Sequence, residues 1–150
     1  MSKSKHRRVI LMADDDAEDC LLARDALGES GRACELRVVR NGEELFDYLR
    51  REGEFVEGRN SPIPDLILLD LKMPCKDGRE TLRELKNDPR FRRIPVVALT
   101  TSTAGDDVEF SYDVGANSYI TKPATFHEWI RIFGILGEYW FDIVELPPRP

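Results

Sequence analysis

The sequence predicts an α/β fold, a doubly wound parallel sheet of five strands with helices on both faces, and three observations carry that expectation. Short apolar runs of strand length alternate five times with segments of helical spacing, the pattern of successive βαβ units. Two of the runs, Leu66-Ile-Leu-Leu69 and Ile94-Pro-Val-Val-Ala-Leu99, show almost no polar alternation, so both their faces must be covered, as at the centre of a parallel sheet. Polar or charged residues follow the runs, where strands of such a sheet deliver side chains to its carboxyl edge.

The first strand covers 8–13, with Val9-Ile-Leu-Met12 as its apolar body. Three aspartates, Asp14, Asp15 and Asp16, lead into a helix over 17–29 that carries Cys20, Ala23 and Leu27 on one face, and Gly31 is its stop signal. Cys34, Leu36 and Val38 then alternate with Glu35 and Arg37, as expected of a strand at a sheet edge. Asn41-Gly-Glu-Glu44 reads as an N-cap with a Glu three residues on, and the helix it opens turns Leu45, Tyr48 and Leu49 inward. The stretch 52–64 is longer than a minimal connection and reads as a surface loop. The third strand, 66–69, ends on Asp70, and a turn at 74–78 starts a helix with Leu82 and Leu85. The fourth strand ends on Thr100, a helix covers 106–114, and the fifth strand, 118–121, ends on Lys122-Pro123. A long last helix begins near Thr125.

The 150 residues, 41% hydrophobic and 33% charged, suit a single domain with one core. Its expected organisation is a basic tail over 1–7, a domain over 8–145 that includes the long last helix, and a Pro-rich tail over 146–150. A net charge of −6 argues against nucleic acid and anionic membrane as partners. Apolar runs of a handful of residues and an N-terminus without a signal-peptide core predict a soluble, cytoplasmic protein. Cys20, Cys34 and Cys75 lack zinc-site spacing and are odd in number, which predicts reduced thiols.

On this fold Asp14, Asp15, Asp70, Thr100 and Lys122 converge on one edge of the sheet. Singly each has an ordinary reading: the acids cap a helix or end a strand, Thr100 caps a helix, and Lys122 is a solvated charge. Together they do not, because three carboxylates gather in a partly dry pocket only around a cation. A hard divalent ion such as Mg²⁺ takes oxygen ligands of this kind, and Lys122 balances the remaining charge.

These residues, in the motifs Asp14-Asp15, Leu66-Ile-Leu-Leu-Asp70-Leu-Lys-Met-Pro74 with Asp77-Gly78, Ala98-Leu-Thr100 and Gly115-Ala-Asn-Ser-Tyr119-Ile-Thr-Lys122-Pro123, resemble the receiver domain of two-component response regulators over residues 8–139. Leu99-Thr-Thr-Ser102, the Ala116–Pro123 segment, Tyr139-Trp-Phe and Leu146-Pro147 are similar to small stand-alone receivers that serve phytochrome-type sensor histidine kinases. The resemblance implies a flavodoxin-like strand order 2-1-3-4-5. It also implies a single-domain response regulator without a DNA-binding output, acting as a phosphorylation-operated binding switch rather than as an enzyme in its own right. Asp70 would accept the phosphoryl group from a kinase phosphohistidine. Asp15 and Asp70 would ligate Mg²⁺ directly, Asp14 mostly through water, and Lys72 through its backbone carbonyl. Thr100 and Lys122 would contact the phosphoryl oxygens, and Tyr119 would turn inward when Thr100 moves. Lys122–Pro123 would be a cis peptide. The cognate kinase and the downstream protein are left open.

The alternative is a Mg²⁺-dependent phosphohydrolase or phosphotransferase with Asp70 as nucleophile. That chemistry usually wants a second carboxylate two residues on, where this chain has Lys72. A flavin or nucleotide binder is opposed by three acids where a Gly-rich phosphate loop would stand.

The last helix carries two apolar stripes. Trp129, Ile130, Phe133, Leu136 and Trp140 cover the sheet, while Ile132, Ile135, Tyr139 and Ile143 fall on an adjoining face that predicts a homodimer. Either a partner covers the second stripe, easing the helical cost of Gly134 and Gly137, or the tail over 140–150 folds back onto it.

Overall fold

A computed structural model describes residues 7–56 and 61–149. The basic tail apart from Arg7, the middle of the 52–64 stretch and the final residue of the Pro-rich tail therefore lie outside the described residues. Five strands, β1 (Arg8–Ala13), β2 (Cys34–Val39), β3 (Leu66–Leu69), β4 (Val96–Thr100) and β5 (Ser118–Thr121), form one parallel sheet in the order β2-β1-β3-β4-β5. Helices α1 (Ala17–Glu29), α2 (Gly42–Arg50), α3 (Gly78–Asn87), α4 (Gly105–Val114) and α5 (Phe126–Gly137) alternate with them. No helix among the described residues is long and apolar enough to cross a membrane.

Strand alternation divides the core into two layers. Leu11, Ala13, Ile67, Leu69 and Val96 face α2 and α3, meeting Leu45, Phe46, Leu82 and Leu85. Ile10, Met12, Leu66, Leu68, Val97 and Leu99 face α1 and α5, meeting Ala23, Leu27, Trp129, Phe133 and Leu136. β3 and β4 are buried on both faces, as their unbroken apolar sequences require. Register then aligns the functional edge: Ala13 pairs with Leu69, so Asp14 and Asp70 leave the sheet side by side, and Lys122 N donates to Thr100 O at 2.8 Å.

Local signals act where the sequence placed them, with one variation. Asp16 caps α1 by accepting from the backbone N–H of Glu18 and Asp19, and Asn41 caps α2 through Glu44 N at 2.8 Å. Glu44, however, returns its bond to Arg40 N at 2.9 Å instead of to the cap residue. Gly78 opens α3 against the loop after β3, donating to Leu71 O at 3.1 Å. An added Cβ there would overlap the carbonyl oxygen of Asp70, so a side chain at 78 would force the backbone of that loop to move.

Three expectations are corrected. Lys122–Pro123 is trans, as are all the described peptide bonds. The trans form of an X–Pro bond is favoured by roughly 0.5–1 kcal/mol, and with it Lys122 already makes both its backbone and its ammonium contacts. The long last helix changes pitch rather than running as one α-helix: α5 ends at Gly137 and passes directly into a π-helical turn over Glu138–Ile143. Gly137 serves the chain itself rather than a partner, because a Cβ there would collide with Arg32, whose guanidinium pairs with Asp142 at 2.8 Å. Nor does the tail cover the second stripe. Arg149 instead reaches Asp65 at 2.9 Å on the amino edge of the sheet, beside Val9 N at 2.9 Å. Ile132 packs against the core, whereas Ile135, Tyr139 and Ile143 remain 50%, 49% and 63% exposed.

Candidate functional site

The carboxyl ends of β1 and β3 bring Asp14, Asp15 and Asp70 together, with one carboxylate oxygen of each lying within 4.8 Å of the others. Asp14 and Asp70 are buried and Asp15 is exposed, so the cluster is open on one side only. Lys122, carried in from the end of β5, is 6% exposed at its side chain and places Nζ 2.8 Å from Asp14 Oδ2, 3.2 Å from Asp70 Oδ2 and 2.7 Å from Asp19 Oδ2. Asp19, on the first turn of α1, is a member of this site that the sequence reading did not assign. Its signal was available, since it lies one helical turn after Asp15 on a helix that begins at the functional edge.

Four carboxylates against one ammonium leave the site with excess negative charge. Burial, opposed by Lys122 and reinforced by the charge of Asp70, pushes the Asp14 carboxyl up from 3.8 to about 6. Burial works to lower the Lys122 ammonium, but its contacts with Asp14 and Asp19 outweigh that and hold it above the ordinary lysine value. Asp14 Oδ1 accepts from Asp16 N at 2.9 Å. Asp14 Oδ2 is buried and has the Lys122 ammonium, 2.8 Å away and shared with Asp19 and Asp70, as its polar neighbour. Three carboxylate oxygens within 4.8 Å of one another, with a shared ammonium that cannot balance their charge, have the chemistry of a hard-cation site, so the residues present fit a divalent metal.

Thr100, at the end of β4, is fully buried, and its Oγ1 accepts from Ser102 N at 3.5 Å. Tyr119, half-buried on β5, donates its hydroxyl to Ser102 O at 2.8 Å. The two residues expected to act as a switch therefore touch the same neighbour. Lys72 gives its backbone N–H to Asp70 Oδ1 at 3.1 Å, while its ammonium lies 3.8 Å from Asp107. Cys20 donates Sγ–H to Asp14 O at 3.6 Å, and burial raises its thiol to about 12, which makes it inert.

A family model for the response regulator receiver domain matches residues 10–133. The response regulator Rcp1 of the cyanobacterium Synechocystis is 40% identical over 145 residues, covering 97% of both chains. Among solved structures, the phosphorylated cyanobacterial phytochrome response regulator RcpA superposes with a TM-score of 0.86 at 43% identity, over 95% of this chain and 100% of its own. The Mn²⁺-bound form of Rcp1 gives 0.83 at 40% identity, over 94% and 99%. Sheet order, the acidic cluster at the carboxyl edge and these matches agree, and the chain belongs to the response regulator receiver domain family.

Proposed function

We propose that this protein is a phosphorylation-operated binding switch that takes its phosphoryl group on Asp70 from a phytochrome-type sensor histidine kinase. The observation that carries the reading is the cluster of Asp14, Asp15 and Asp70 beside a single buried ammonium. The kinship with phytochrome response regulators supports the choice of kinase. Asp14, Asp15, Asp70 and the Lys72 carbonyl would hold Mg²⁺, which when bound supplies positive charge to neutralise phosphoryl oxygens.

A carboxylate oxygen of Asp70 attacks the phosphorus of the phosphohistidine. A P–O bond forms as the P–N bond breaks, and the imidazole leaves with the bonding pair and takes up a proton from solvent. Lys122 pairs with the charge spreading over the phosphoryl oxygens, and the Thr100 hydroxyl donates to one of them. The same residues take part when water removes the group, so the protein contributes to its own phosphorylation and dephosphorylation without turning over a separate substrate. Lys72 stands where a phosphohydrolase of the rival kind wants its acid, which favours the switch. A cytoplasmic setting, no nucleic-acid partner and a downstream protein as the listener complete the reading.

Profiling phosphotransfer from purified histidine kinases tests it: rapid labelling by a phytochrome-type kinase is expected, and labelling by none would overturn it. Lys122→Ala should slow transfer on the order of a hundredfold, because it removes the one fixed cation of a four-carboxylate site. Stopped-flow or gel-based transfer kinetics measure this, and an unchanged rate would remove Lys122 from the mechanism.

A homodimer through the C-terminal region belongs to the same reading. Ile135, Tyr139 and Ile143 expose their apolar side chains beside a shallow cavity of about 320 Å³ that Ile135, Tyr139 and Trp140 line. Sedimentation at micromolar concentration should give a dimer. The double change Ile135→Glu, Tyr139→Glu should give a folded monomer that still accepts phosphate. A monomeric wild type, with and without phosphate, would contradict the assignment.

A further inference from the structure

Four carboxylates are buried among the described residues: Asp14 and Asp70 in the phosphoryl site, Asp65 at the amino edge, and Asp107 on the first turn of α4. The mechanism above has no use for Asp107. Its environment is nevertheless built. Oδ2 accepts from Ser102 Oγ at 2.6 Å and lies 3.8 Å from Lys72 Nζ, and Oδ1 lies 3.4 Å from the guanidinium of Arg79 on α3. Arg79 also stacks on Phe110 of α4 at 4.2 Å, so α3 and α4 are joined around this acid.

Ser102 is where the lines meet. Its N–H faces Thr100 Oγ1, its carbonyl accepts from Tyr119, and its hydroxyl donates to Asp107. The hydroxyl oxygen also receives Ala104 N at 3.3 Å, at a helix start whose own cap residue offers no side-chain bond. Fixing Ser102 therefore fixes the resting positions of both switch residues and the start of α4. On the other side of Asp107, Lys72 follows Asp70 by two residues and is 64% exposed at its side chain, free to swing on its four-carbon stem. A phosphoryl group on Asp70 brings a charge of about −1.5 to −2, more than the single charge of Asp107 with which it would compete for that ammonium.

We propose that Asp107 is a positioning residue of the switch: at rest it anchors Ser102, and through it Thr100 and Tyr119, and a phosphoryl group at Asp70 draws Lys72 away, which leaves the buried carboxylate with less compensating charge and loosens the segment built around it. The inference rests on Asp70 being the phosphoacceptor and adds the element that sets the resting state.

Hydrogen exchange over residues 101–110, read by mass spectrometry with intact mass measured on the same samples, tests it. Wild type, Asp107→Asn and Ser102→Ala are compared with and without Mg²⁺ and acetyl phosphate. In wild type, phosphorylation should raise exchange in this segment several-fold. Asp107→Asn should be labelled to the wild-type extent, exchange fast without phosphate, and show little further rise with it. Ser102→Ala, a smaller change, should behave the same way. If Asp107→Asn loosens both states equally and keeps the full phosphate-dependent rise, Asp107 is only part of a helix start and the proposal fails. It fails too if exchange in Asp107→Asn equals that of wild type. Wild type that takes no label would overturn the phosphoacceptor reading itself, and this inference with it.

Discussion

Asp70→Asn is expected to fold as the wild type does and to take no phosphoryl group, from a histidine kinase or from acetyl phosphate. Asp70 is buried at the end of a strand enclosed on both faces, where its backbone N–H pairs with Ala13 O at 3.0 Å and its side chain accepts from Lys72 N and Lys122 Nζ. Asparagine has nearly the same volume and keeps one acceptor oxygen, enough for the Lys72 N–H, while Lys122 gives up its bond to residue 70 and retains Asp14 and Asp19, so packing and register have no reason to change. It also removes one negative charge from a site with four, which relieves repulsion. What it lacks is a nucleophilic carboxylate, and without one no acyl phosphate forms. Label at background with an unchanged circular dichroism spectrum and melting profile is the expected result. Substantial label on this variant would mean that another residue is the acceptor.

Asp14→Asn should raise the stability of the metal-free protein and weaken its response to Mg²⁺. The Asp14 carboxyl stands at about 6 in the fold against an ordinary 3.8, chiefly because burial disfavours its charged form. Between those values the folded state binds more protons than the unfolded state, so stability falls as pH rises from about 4 through 6, and the full penalty is present above 6. A displacement of about two units corresponds to roughly 3 kcal/mol, or about 6–12 °C in melting temperature for a chain of this size. Thermal melts in EDTA should therefore show wild type losing stability between pH 4 and 7 beyond what the other groups cause, with Asp14→Asn more stable at pH 7 and lacking that increment. Added Mg²⁺ should then stabilise wild type more than the variant, which keeps only part of the ligand set. Equal melting temperatures at pH 7, or equal Mg²⁺ responses, would show that Asp14 is neither strained by its burial nor a metal ligand.

The fold was legible because its elements are punctuated strongly. Leu66–Leu69 and Val96–Thr100 are apolar almost without alternation, and Asp16 and Asn41 cap helices through bonds that their positions announce. The carboxylate site was legible for the same reason, since strand ends in a parallel sheet can only point to one edge. Partners far apart in sequence were not. Lys122 and Asp19 are 103 residues apart, and Arg149 and Asp65 are 84 apart, and no periodicity reports on such pairs. Asp107 sits among ordinary first-turn acids of α4, and only packing against α3 turns it from a dipole partner into a buried anchor. The widening of the last helix was hidden because apolar spacing continues past Gly137. Nor does periodicity report that Arg32, from the α1–β2 connection, occupies the space that a side chain at 137 would fill.

The central claim is that one residue of this chain, Asp70, receives a phosphoryl group in a metal-dependent step. It is tested most directly by exposing the wild-type protein to acetyl phosphate and locating the added mass by peptide mapping. A single phosphoryl group per chain, confined to the peptide that carries Asp70, formed with Mg²⁺ and absent in EDTA, is the predicted result. A phosphoryl group on any other residue, or an equal yield in EDTA, would contradict it.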